Sequence, residues 1–260
     1  MLVASKLLFE LNPPKLFERN LFSTTLLNAQ LEVFVTRATS AAQYVSGLHI
    51  TDSVLGIPRV SSINAASILK NIGLKASLTC SLRISDRNMI TIFQFLSEAV
   101  RIGIKGILVL TGDPPCCGPL CSKLKASEIV RTLSSYHINN EIELYLSSPT
   151  KIISKVSLER KLGVKPSALV TQSISSISDL RKIADLATPF GINIIPCIMC
   201  PSTKNMPSAN KIGLDWSSYA ENPLEFVARA ARLVHKVLLT SPNSFHDGLN
   251  LIKNLSEVDL

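Results

Sequence analysis

Along this chain a short apolar run is repeatedly followed by a polar or turn residue and then by a helix-compatible stretch. The runs fall at 6–11, 47–51, 75–79, 106–110, 142–146, 168–171, 192–198 and 248–252. Most are continuously apolar, which suits strands buried on both faces of a parallel sheet. Strands that alternate with helices predict βα units, and eight such units close a (β/α)8 barrel of the TIM type. No Gly/Ser linker or low-complexity tract divides the sequence, so 1–260 reads as a single domain.

The intervening segments carry helix signals. Asp86 precedes a pattern in which Ile90, Phe93, Leu96 and Val100 share a face, and Gly103 stands at a helix C-terminus. Asn222 and Pro223 read as an N-cap and first helical residue. Phe226, Val227, Ala230, Val234 and Leu238 then form an apolar stripe. The 31–46 segment fits a strand as well as a helix. The 201–218 stretch has no clear periodicity and follows the end of the seventh run, where a lid over an active site would sit.

The fourth run has the sharpest end. Ile107-Leu108-Val109-Leu110-Thr111-Gly112-Asp113 meets Pro114 and Pro115, which cannot donate ladder hydrogen bonds. Asp113 is thereby placed at the C-terminal tip of a buried strand, the edge where α/β folds bind ligands. The other run ends add Glu10 and Asn12, Thr51-Asp52, Thr79-Cys80 and Thr171-Gln172. Each alone suits a cap or turn. Together they predict one polar ring at the barrel mouth.

Composition narrows the classes. With 46% hydrophobic residues the chain supports a large core without disulfides or metal. No apolar run approaches the roughly 20 residues of a membrane span. Residues 1–9 read as a strand and not a signal peptide, so a cytoplasmic location is expected. The net charge of +8 comes from scattered basic residues with few aromatics and no arginine-rich run, which reads first as a solvated basic surface; attraction of a small anionic substrate fits it as well as nucleic acid does. Six cysteines (Cys80, Cys116, Cys117, Cys121, Cys197 and Cys200) map near the expected mouth, but their spacing matches no standard zinc pattern. No metal is expected, although the 116–121 loop keeps a metal-assisted enzyme as a third reading. His49 lies within a strand and reads as a core residue.

Phe9-Glu10-Leu11-Asn12-Pro13-Pro14-Lys15 resembles the opening strand of the methylenetetrahydrofolate reductase family. Leu78-Thr79-Cys80, Leu110-Thr111-Gly112-Asp113-Pro114-Pro115 and Val170-Thr171-Gln172 are similar to its later strand ends, in order. Ile195-Pro196-Cys197-Ile198-Met199 resembles a further stretch, with cysteine in place of glycine. The region around Asp52 and Arg59 is similar to short, divergent members. The resemblance spans the first seven strands.

The resemblance implies reduction of 5,10-methylenetetrahydrofolate, or a related methylene-pterin, to the 5-methyl form, as in methionine biosynthesis. Hydride would come from a reduced flavin. It implies Glu10 as general acid, Asp113 as a second catalytic residue near both pterin and flavin, and Gln172, Asp113 and Asp52 on the substrate. Ser77, Thr79, Leu110, Thr111, Gly112, Asp113 and Ala126 fall on the flavin side. The implied cofactor is FAD, with FMN, a deazaflavin or no bound flavin left open. Implied partners are a folate or modified pterin and NAD(P)H or a redox protein, with further copies of the chain left open.

The chain departs from the family pattern at the adenine-nucleotide side. Tyr145-Leu146-Ser147-Ser148-Pro149 lacks the expected glutamate and histidine, Ser77 replaces a histidine, and Lys125 an aromatic residue. These losses keep a second reading open, a non-redox subunit that binds the one-carbon carrier for a partner enzyme.

Overall fold

A computed structural model describes residues 3–18, 21–118, 124–148 and 155–257. Met1, Cys121 and Pro149, which figured in the sequence reading, lie outside the described residues. The strands are β1 (Leu7–Leu11), β2 (Gly47–Ile50), β3 (Ser77–Arg83), β4 (Gly106–Leu110), β5 (Glu143–Ser148), β6 (Ala168–Ser173), β7 (Asn193–Met199) and β8 (Val237–Thr240). They form a closed barrel in chain order, all neighbours parallel, with β8 paired back to β1. The expected (β/α)8 architecture is what the chain adopts.

The helices are α1 (Thr24–Ala41), α2 (Ser62–Asn71), α3 (Met89–Arg101), α4 (Ala126–Ser135), α5 (Lys155–Leu162), α6 (Ile177–Ala187), α7 (Met206–Lys211), α8 (Pro223–Leu233) and α9 (Phe245–Glu257). Capping residues set several starts. Asn88 accepts from Thr91 N before α3, and Asn222 from Glu225 N before α8. α3 buries Ile92, Phe95, Leu96 and Ala99 on one face; of the expected stripe Leu96 alone is fully buried, while Phe93 and Val100 are half-buried and Ile90 is 70% exposed. Each large apolar side chain so buried contributes about 1.5–3 kcal/mol.

Strand residues alternate between two cores. Leu7, Phe9 and Leu11 join the layer between sheet and helices, as do Leu78, Cys80, Leu82 and Ile84. Leu8, Leu108, Tyr145, Val170, Ile195, Cys197 and Leu238 fill the barrel interior.

Element boundaries expected from sequence change in several places. β3 does not end at Thr79 but runs to Arg83, because Cys80 and Leu82 continue the outward apolar alternation. The eighth strand is Val237–Thr240; residues 248–252 lie in α9, where Gly248, Leu251, Ile252 and Leu255 are buried at helical spacing. The ambiguous 31–46 segment lies largely in α1. Ala4–Lys6 forms a 3-10 turn, and β1 starts at Leu7. The 201–218 segment contains α7 and packs at the C-terminal end. Asn205 is buried, donating to Cys200 O and Ser241 Oγ, and Trp216 is buried too. No helix among the described residues is long and apolar enough to cross a membrane.

Candidate active site

At the C-terminal mouth, Glu10 is the penultimate residue of β1. Its register alternates with outward Phe9 and Leu11, so the carboxyl faces the interior. Oε1 accepts from Thr240 Oγ1 at 2.6 Å, from the last residue of β8. Burial raises the Glu10 pKa above its ordinary 4.5, against a smaller lowering by the Thr240 hydroxyl. Burial also pushes the Cys197 thiol up, helped by the Glu10 charge nearby.

Beside Glu10 a cleft of about 360 Å³ opens between β1, α1 and the segment after β8. Asn12, Pro13, Pro14, Lys15, Arg37, Arg59, Ser241, Asn243 and Phe245 contribute to its walls. The Asn12-Pro13-Pro14 turn is fixed from two sides. Thr51 Oγ1 donates to Asn12 Oδ1 at 2.7 Å, and Arg59 Nη1 to Pro13 O at 2.7 Å.

On the β2–β4 side the polar residues are bonded to one another. Asp52 has only 2% of its side chain exposed; its Oδ2 accepts from Arg87 Nη1 at 2.6 Å and from Arg83 N at 3.1 Å. That ion pair withdraws it from the substrate role expected of it. Arg83, fully buried, donates to Asp86 Oδ2 at 3.0 Å and to Ser53 O at 3.3 Å. Asp113 is exposed, and its Oδ2 accepts from Leu55 N at 3.1 Å. Cys116 N donates to Gly56 O at 3.0 Å, closing the β2–α2 loop on the β4–α4 loop. Gly56 (φ +69) must be glycine here, since a Cβ would meet Pro114 O at 2.1 Å. Ser53 and Leu55 adopt the left-handed region in the same loop, at φ 43 and 61.

The remaining expected residues divide. Thr111 and Gln172 are exposed at their strand ends, and Leu110 is half-buried. Gln172 follows Thr171, whose Oγ1 accepts from Cys197 N where the β6–β7 register shifts. Ala126 opens α4. Gly112 (φ +84) does not offer an open cradle on its Cβ side, because a Cβ there would lie 2.7 Å from Arg83 Cγ. Ser77 is the first residue of β3 and lines a separate cavity at the N-terminal end, with Lys105, Glu143 and Lys236. Of the other flavin-side residues Thr79 alone shares that cavity, and Leu110, Thr111, Gly112, Asp113 and Ala126 are not among its lining residues. Thr79 lies inside the barrel, bonded through Oγ1 to His49 Nδ1 at 2.9 Å.

His49 also bonds Ser81 Oγ at 2.8 Å, and burial holds its pKa down to about 4, so it is a neutral core residue at neutral pH. Cys80 faces the helical layer, with its Sγ 3.7 Å from Ser62 O, and does not belong to the mouth. Cys116 and Cys117 are exposed, while Cys197 and Cys200 are buried. Among the described residues no three His, Cys, Asp or Glu side chains are grouped to hold a metal ion.

Sequence reasoning missed Thr240 and Arg83. Thr240 ends an apolar run 237–239, and Arg83 extends the Leu78-Cys80-Leu82 alternation; those were the signals available.

No family model matches the chain, and no curated protein matches it. Solved structures do. An aldolase, QR15, aligns with TM-score 0.57 and 10% identity over 98% of this chain and 96% of that one. Orotidine 5'-monophosphate decarboxylase from Methanocaldococcus jannaschii gives 0.56 and 9% identity over 97% and 99%. The 7,8-dihydropteroate synthase from Vibrio fischeri ES114 gives 0.55 and 11% identity over 99% and 94%. The likeness is one of fold. At such identities these barrels carry different chemistries on one scaffold.

Proposed function

We propose that the chain is an oxidoreductase reducing a methylene-pterin of the 5,10-methylenetetrahydrofolate kind to its 5-methyl form. The observation that carries this reading is Glu10, a half-buried carboxyl with a raised pKa beside an open cleft, within the motif that resembles the reductase family. The chemistry needs such a group. Opening the methylene bridge breaks a carbon–nitrogen bond, and the departing nitrogen takes the Glu10 proton while the other nitrogen and the methylene carbon become an iminium. Hydride then adds to that carbon, and Glu10 regains a proton from solvent. Gln172, exposed and with a full amide complement, and the free Oδ1 of Asp113 suit the polar edge of a pterin.

The residues expected on the flavin side do not fit one resident flavin. Arg83 packs against Gly112, Ser77 is at the opposite end, and Thr79 is bonded within the barrel. We therefore treat the hydride donor as an exchangeable second substrate, a reduced flavin, deazaflavin or nicotinamide. The same mismatch favours the second reading, a carrier-binding subunit that leaves reduction to a partner.

Glu10→Gln keeps the shape and removes the proton. Given methylenetetrahydrofolate and chemically reduced free flavin, the variant is expected to lose about 10²–10⁴-fold in rate while still binding the pterin. Turnover near the wild-type level in that assay removes Glu10 from the mechanism. Wild-type binding without any reduction supports the carrier-binding subunit.

A further inference from the structure

The cleft beside Glu10 holds more positive charge than a proton donor requires. Lys15, Arg37 and Arg59 line it, and Glu10 is the only acid among its described lining residues. The cations come from separate segments. Lys15 follows the Pro-Pro turn, Arg37 projects from α1 with its guanidinium 5.5 Å from the Phe245 centroid, and Arg59 precedes α2. A backbone bridge links Lys15 to Arg59. No carboxylate pairs with any of the three among the described residues. Arg59 Nε is buried and lacks a hydrogen-bond partner there, an unfavourable state for a donor taken out of water. Scattered surface lysines do not converge in this way. A cleft of about 360 Å³ also falls within the range of small-ligand sites.

We infer that this cleft is an anion subsite that holds a carboxylate- or phosphate-bearing arm of the substrate whose reacting end lies at Glu10. The link to the reacting end rests on the reduction reading, whereas anion binding itself does not. Guanidinium groups suit either anion through paired N–H donors, and Lys15 adds a point charge. The Phe245 ring gives the arm an apolar wall, with Arg37 already stacked on it.

The test is calorimetric titration of the full chain at low ionic strength with two probes, inorganic phosphate and glutarate. Arg37→Ala and Lys15→Ala are the informative variants, since both side chains are exposed and neither is paired with an acid among the described residues. Arg101→Ala, exposed on α3 and outside the cleft lining, is the control. Wild type and the control should bind at least one probe. Each cleft variant should weaken it about fivefold or more, and the double variant should abolish it. The tighter probe identifies the arm as phosphate or carboxylate. Absence of binding by wild type, or equal binding by all variants, overturns the subsite. Turnover is not read, so failure of the reduction reading would leave this result intact.

Discussion

The two sides of the barrel mouth use charged residues differently. Between β2 and β4, Asp52, Arg83, Asp86, Arg87 and Asp113 are bonded to one another or to loop backbone. Gly56 and Gly112 permit the close approach that this requires. Between β8 and β1, Glu10 accepts from one hydroxyl, and Lys15, Arg37 and Arg59 line a cleft with no paired acid among the described residues. The first side is a clasp that fixes loops. The second has a proton and positive charge left to offer a ligand. A polar residue at the C-terminal edge of a strand is therefore not yet a reacting group; its existing partners decide which kind it is.

Substitution can break this contrast. Asp52→Ala should have the largest effect on stability, about 3 kcal/mol, because it leaves Arg87 unpaired and the buried Arg83 N–H without its acceptor. Urea unfolding checks it, and a loss below about 1 kcal/mol would mean the clasp holds little. Asp113→Ala removes one hydrogen bond from an exposed carboxylate and should cost about 1 kcal/mol. It should also weaken pterin binding, yet leave the alkaline limb of the pH–rate profile in place. A moved limb would put Asp113 in the proton step and erase the distinction between the two sides.

Much of the barrel was legible because outward strand residues must be apolar, as at Leu78, Ile107 and Leu169. The failures have physical causes. Val237–Thr240 starts only a few residues after α8, and Val234 and Leu238 continue the helical stripe, so the strand was read as helix. β3 was cut short because Ser81 and Arg83 look like loop residues, though their polarity faces the barrel interior beside His49 and Asp52. Glu10 was legible from its motif. Thr240 was not, since its strand had been placed elsewhere, and nothing in sequence ties Arg37 on a helix to Arg59 in a loop.

The account turns on the protonation of Glu10. Its carboxyl should be followed by carbon-detected NMR titration in wild type and in Thr240→Val, with Glu10→Gln assigning the signal. Because burial raises this pKa and the Thr240 hydroxyl lowers it, the wild-type midpoint should lie above 4.5, and Thr240→Val should move it higher. A general acid would then work below that midpoint and fail as pH rises through it. A midpoint at or below 4.5, or one that Thr240→Val lowers, would contradict the assignment of Glu10 as a proton donor.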